Sequence, residues 1–188
     1  MVTAQEHDLH QVVILIDQLN MFIGGKRASA SRLNLRSAGG FPEDFAWRLN
    51  YARFISHLAG DRVIQHALLV GSRSPSLDSA PTTPEEAWFT AITHKRDRSN
   101  KEKAVDTEIV ARGVEFALTY PPATLVIASG DRNVLPLVTT AQRYGWYVEI
   151  AAFFSTCSSE LRGVADRVRY LDGALDRIGY RKAKVVSS

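Results

Sequence analysis

Two uninterrupted apolar runs, Val12-Val13-Ile14-Leu15-Ile16 and Thr124-Leu125-Val126-Ile127-Ala128, constrain the fold of this chain more than any other feature. A strand with one wet face alternates apolar and polar residues. A continuous run of β-formers therefore belongs to a strand covered on both faces, as in a parallel sheet between helices. Each run halts at an acidic segment: Asp17-Gln18-Leu19-Asn20 after the first, Ser129-Gly130-Asp131-Arg132-Asn133 after the second. Ligands of open parallel sheets bind at the carboxyl ends of the strands, so both acids are expected at one edge.

The rest of the chain alternates in the same way. Val63 to Val70, Trp146 to Ala152 and Val168 to Leu171 read as further strands. Helices are expected from Pro42 to Leu58, from the capping-box pattern Ser99-Asn100-Lys101-Glu102 to just before Pro121-Pro122, from Asn133 to Tyr144 with Gly145 closing it, and around Ser158 to Val164. The Gly-, Ser-, Ala- and Arg-rich stretch from Gly24 to Gly40 reads as a mobile loop carrying Lys26, Arg27, Arg32 and Arg36, and Ser72 to Pro84 as a second loop. Glu85 to Thr93 fits a short helix, a strand or one after the other. The expectation is an α/β protein with three layers, α/β/α, around a central, mostly parallel sheet of about five strands. Along the chain this gives a tail over 1–10, a domain over 11–173 and an extension over 174–188, partly helical and then flexible.

At 188 residues the chain is long enough for one well-filled core. A net charge of +3 suits a polyanionic partner without identifying one. Cys157 is the sole cysteine, which excludes an intrachain disulfide and a cysteine zinc site, and it reads as a buried thiol. No run reaches the ~18 apolar residues of a membrane span, and the polar start lacks a signal core, so a cytoplasmic protein without membrane attachment is expected. Gly24-Gly25-Lys26-Arg27 lacks the earlier glycine and final hydroxyl of a phosphate loop. Nothing in the sequence indicates a homo-oligomer.

Three carboxylates stand out. Asp17 ends the first run and could ligate Mg²⁺, with Asn20 holding a water or a phosphate, or both could simply cap the next segment. Asp131 follows a glycine that permits a sharp turn and precedes a helix start, where it could serve an anion site or cap the helix. Asp106 falls within a helix and shares the face of Ile109, Val110, Gly113 and Val114, so its charge needs a partner. The basic run Lys95, Arg96, Arg98, Lys101 and Lys103 leads up to it and is either a solvated loop or the bed of an RNA backbone.

Taken in order, four motifs resemble those of NYN domains, a branch of the PIN-like nuclease superfamily. They are Ile16-Asp17-x-x-Asn20, Lys103-x-Val105-Asp106, Ser129-Gly130-Asp131-x-Asn133-x-x-Pro136-Leu137-Val138 and Ser158-x-x-Leu161-x-x-x-Ala165-Asp166. The resemblance implies a PIN-like, Rossmannoid fold and Mg²⁺- or Mn²⁺-dependent cleavage of RNA. It implies metal ligation and catalysis by Asp17, Asp106 and Asp131, with Asn20 and Asn133 in support and Asp166 as a structural anchor. Lys26, Arg27, Lys101, Lys103, Arg112 and Arg132 are the expected RNA-binding cations. Two residues depart from the family pattern: Asn133 replaces a second Asp, and Arg112 stands where many members have an acid. Three carboxylates with amide oxygens and water suit one ion better than two. The alternative is a catalytically weak or inactive NYN-like protein that binds RNA or a protein partner. A nucleotide phosphatase is disfavoured, because Asp17-Gln18-Leu19 lacks the Asp-x-Asp context such enzymes use.

Overall fold

The structure, a computed structural model, describes residues 8–71, 89–93 and 101–182. Its centre is a six-stranded sheet built from β1 (Asp8–Asp17), β3 (Val63–Gly71), β4 (Phe89–Thr93), β5 (Ala123–Ala128), β6 (Tyr147–Ala152) and β7 (Arg167–Tyr170). The strands lie in the order β4-β3-β1-β5-β6-β7, and every neighbouring pair is parallel. This is the expected α/β fold with one strand more than the apolar runs suggested. The extra strand, β4, comes from the end of the ambiguous segment Glu85 to Thr93; Ser72 to Pro84, and the basic run up to Asn100, lie outside the described residues. A separate two-stranded antiparallel pair joins β2 (Trp47–Leu49) to β8 (Gly179–Arg181).

Helices cover both faces. One layer holds α1 (Gln18–Arg32), α2 (Tyr51–Ala59) and α6 (Leu175–Ile178). The other holds α3 (Lys101–Thr119), α4 (Leu135–Arg143) and α5 (Ser159–Val164). β1 supplies both cores through its alternation: Val12, Ile14 and Ile16 face the first layer, Val13 and Leu15 the second. Gly145, at φ 86°, ends the α4 segment in the left-handed conformation as its sequence position suggests.

The first layer departs from the sequence expectation. Residues 24–32 are not loop but the greater part of α1. Gly24 and Gly25 serve as contact points: a Cβ at Gly25 would lie 2.1 Å from the Trp47 ring, and one at Gly24 would lie 2.6 Å from Phe153. Ala28, Ser29 and Ala30 are buried beside them. The small residues that resemble loop composition here let a helix lie against two large rings.

The helix expected from Pro42 starts only at Tyr51, where the Asn50 side chain accepts the Arg53 N–H at 2.9 Å. The preceding segment is held by tertiary contacts instead. Buried Asp44 accepts from Ser29 Oγ at 2.7 Å, Arg181 Nε at 2.8 Å and the Ala46 N–H at 3.0 Å. Trp47 to Leu49 then pair with β8, more than 120 residues away in sequence. No local pattern encodes that partner.

Candidate functional site

β1 and β5 are adjacent and parallel, with Ile16 beside Ala128, so the segments that follow them emerge together at the carboxyl edge. Asp17, the last residue of β1, is 4% exposed. Its Oδ1 accepts the Asn20 N–H at 3.0 Å, which caps α1, and its Oδ2 accepts the Ser129 hydroxyl at 3.1 Å. That hydroxyl in turn accepts the Asp131 N–H at 3.2 Å, so one side chain bridges the two acidic segments. Asn20 returns the link: its Oδ1 accepts the Gly130 N–H at 3.0 Å.

Asp131 is half-buried and its Oδ1 accepts the Asn133 N–H at 2.9 Å, capping the 3₁₀ turn Arg132–Val134 that leads into α4. Among the described residues nothing donates to its Oδ2. Gly130 has no room for a side chain, because a Cβ there would stand 2.2 Å from the Thr156 carbonyl oxygen. Gly130 in turn accepts the Ser158 N–H at 2.9 Å, which draws the segment after β6 onto the same edge.

The structure therefore brings together Asp17, Asn20, Asp131 and, at the rim, exposed Asn133 and Arg132. Asp106 lies in α3, and that helix packs on β1 and on the turn after Asp131. The side chains of Asp106, Lys101 and Lys103 lie outside what is described. Among the described residues no three His, Cys, Asp or Glu side chains are grouped for a metal.

Other basic residues are engaged elsewhere. The Lys26 ammonium is 3.7 Å from Glu43 and sits over the rings of Phe22 and Phe45, at 4.1 and 4.6 Å. Arg27 lies 3.8 Å from Glu43 and over Phe41. These contacts hold the segment around Glu43 on α1. Arg112 does not pair with Asp131; it bonds Glu108 and Glu115 of its own helix, each at 2.9 Å. It borders a cleft of about 400 Å³ with His66, Phe116 and Tyr120. His66 pairs with Val13, and Ile92, which also lines the cleft, pairs with Val70, the partner of Asp17, so the cleft runs along β3 and β4 from mid-strand to the level of Asp17.

Asp166 accepts from the Val148 N–H at 2.8 Å and from Gln142 Nε2 at 3.1 Å, which ties the end of α5 to β6 and α4. Cys157 is buried, and that burial pushes its thiol up, away from the reactive thiolate. Tyr51, enclosed beneath the same edge, is pushed up to about 12 by burial despite a hydrogen bond with Gln18.

Asn20 and Ser129 each donate to one oxygen of Asp17, and a carboxylate has roughly four acceptor positions, while Asp131 Oδ2 adds capacity. Carboxylate and amide oxygens at a strand-end crevice match a hard cation such as Mg²⁺ or Mn²⁺. The described residues fit such an ion as part of its ligand set.

A parallel α/β sheet of this order, with acids converging at the carboxyl ends of its two central strands, defines a Rossmannoid protein of PIN-like type. The chain matches the NYN domain over residues 11–172 and belongs to that family, which is of the nuclease kind. A crystal structure of a protein of unknown function from Vibrio parahaemolyticus is similar at 17% identity, with a TM-score of 0.61 over 94% of this chain and 99% of that one. That likeness is one of fold. No curated protein matches the chain significantly. Among the described residues no helix is long and apolar enough to cross a membrane.

Proposed function

We propose that this chain is a metal-dependent ribonuclease that hydrolyses RNA phosphodiester bonds at the carboxyl edge of its sheet. The observation that carries the reading is the bridged pair of Asp17 and Asp131, joined through the Ser129 hydroxyl and locked by Asn20 on Gly130. Such a lattice fixes two carboxylates before any ligand arrives, which lowers the cost of assembling a site.

Asp17, Asp106 and Asp131 are the residues assigned to one Mg²⁺ or Mn²⁺. When bound, such an ion lowers the pKa of water and neutralises charge on a phosphate. Asn20 orients the Gly130 segment, and Asn133 stands at the rim as a neutral donor and acceptor. Arg132, exposed next to Asp131, is the cation assigned to the RNA backbone. Lys101 and Lys103 are assigned the same role on α3. Lys26, Arg27 and Arg112 have partners in their own neighbourhoods and serve the substrate less directly.

The alternative is an NYN-like protein that binds RNA or a protein without cutting. The observation favouring it is that Asn133 adds no charge where a further carboxylate would complete the ligand set. The test is to incubate the purified chain with end-labelled RNA in Mn²⁺, Mg²⁺ or EDTA. Cleavage that needs metal and is lost in both Asp17→Asn and Asp131→Asn supports the enzyme. Binding without cleavage by the wild-type chain in either metal removes the enzyme reading and leaves the alternative.

A further inference from the structure

Next to the acids, the carboxyl edge carries aromatic surface that the core does not use. After β6 the chain turns through Phe154–Thr156, against Gly130. Phe154 is 60% exposed there, and Tyr170, the last residue of β7, is 43% exposed. Parallel pairing of Ala152 with Tyr170 brings the two rings to one place, with centroids 5.3 Å apart and planes at 62°. Arg162 of α5 lies over the Phe154 ring at 5.3 Å. The backbone beneath is fixed, because the Phe154 N–H donates to Asp172 at 2.9 Å.

Arg162 donates to the carbonyl oxygens of Cys157 and Ser158 and has no carboxylate partner among the described residues. Its charge is thus available to an anion. Arg132, two residues beyond Gly130, adds a second exposed cation, partly offset by Glu160, whose carboxyl it helps to hold below the usual range after the larger effects of its own backbone N–H and the Ser159 hydroxyl. Two exposed rings with a guanidinium over one of them, beside the turn that packs on Gly130, form a pattern that suits a flat, negatively tethered partner. Aromatic side chains stack on unpaired bases whatever their identity, and Arg contributes to the same contact.

We propose that Phe154, Tyr170 and Arg162 form a platform for an unpaired nucleobase, so that the polymer lying across the acidic edge is single-stranded RNA. The proposal rests on the ribonuclease reading for the identity of the polymer and goes beyond it in substrate form and in the residues that select it. Bases inside a duplex are stacked on each other and cannot be presented to an exposed ring. Two rings with a guanidinium over one of them also offer little continuous apolar area to a folded protein partner.

The probe is a short RNA carrying one 2-aminopurine, used as a single strand and as a blunt duplex, with the full chain and no divalent metal. The single strand is expected to bind more tightly than the duplex, with the fluorescence quench of a stacked base. Phe154→Ala is expected to weaken that binding by roughly tenfold and remove the quench, while Phe154→Trp retains both. An unchanged thermal midpoint shows that these surface variants are folded. Equal binding of strand and duplex, absent binding of the strand, or an unaffected Phe154→Ala variant would each overturn the platform. Cleavage by wild-type chain with a silent Phe154→Ala sinks the platform alone; stacking without cleavage in any metal sinks the nuclease reading alone.

Discussion

The side-chain oxygen of Asn20 accepts the Gly130 N–H at 3.0 Å, joining the first turn of α1 to the segment that leaves β5. The two acids of the edge lie on either side of this bond. It makes the spacing between Asp17 and Asp131 a property of a closed ring of contacts rather than of two independent loops.

Asn20→Ala leaves the N–H of buried Gly130 without its acceptor, at a cost of about 1–2 kcal/mol. Urea unfolding should show that loss. RNA cleavage should fall further than stability does, by about tenfold or more, because a small misplacement of reacting groups is costly. An activity loss no larger than the loss of folded protein would show that the bond serves the fold alone.

Gly130→Ala and Gly113→Ala should differ in cost. At Gly130 a Cβ meets carbonyl and Cα atoms of the Thr156–Cys157 backbone, at 2.2 to 2.9 Å, and backbone cannot step aside cheaply. At Gly113 it meets methyl groups of Leu137 and Leu15, and alanine gains about 1 kcal/mol of helix propensity in return. Gly130→Ala is expected to cost about 3 kcal/mol, the upper end for overpacking. Paired denaturation curves check the order, and a reversed order would contradict the close approach of Thr156.

Divalent metal should stabilise the wild-type chain without any substrate. A ligand at about 100 times its dissociation constant adds about 2.7 kcal/mol to a folded state that alone binds it. The thermal midpoint should therefore rise with Mn²⁺, and the rise should shrink in Asp17→Asn and Asp131→Asn. Equal shifts in all three proteins would place the ion elsewhere.

Stability should fall in acid partly through Asp44. Burial pushes its carboxyl up, but hydrogen bonds from Arg181, Ser29 and the Ala46 N–H outweigh that and hold it below its ordinary value. A carboxyl depressed in the folded state binds fewer protons than in the unfolded chain, so its contribution is complete above the unfolded pKa of about 4. It is lost as pH falls through the folded value. Asp44→Asn should be less stable at neutral pH and should show a flatter dependence below about pH 4.

The sequence displays the centre of this molecule far better than its flanks. β1 and β5 are legible because burial on both faces leaves no alternation, and Asp17 and Asp131 are legible because polar residues end those runs. α1 is hidden by Gly24 and Gly25, whose composition signals a loop while their purpose is contact with Phe153 and Trp47. The helix expected from Pro42 to Leu58 is in fact a loop, a strand and a shorter helix, because Trp47 to Leu49 answer to β8 rather than to their neighbours. Phe154 and Tyr170 look like unrelated aromatics until the pairing of β6 with β7 sets them side by side.

The pairing of β2 with β8 also makes α1 depend on residues far along the chain. Trp47 supports α1 at Gly25, and Gly179 packs closely against the same ring, where a Cβ would stand 2.6 Å from it. The helix that begins at Gln18 is thus propped by residues synthesised some 160 positions later. A growing chain halted before Gly179 already contains every acid of the edge, yet lacks the strut that steadies the helix beside them.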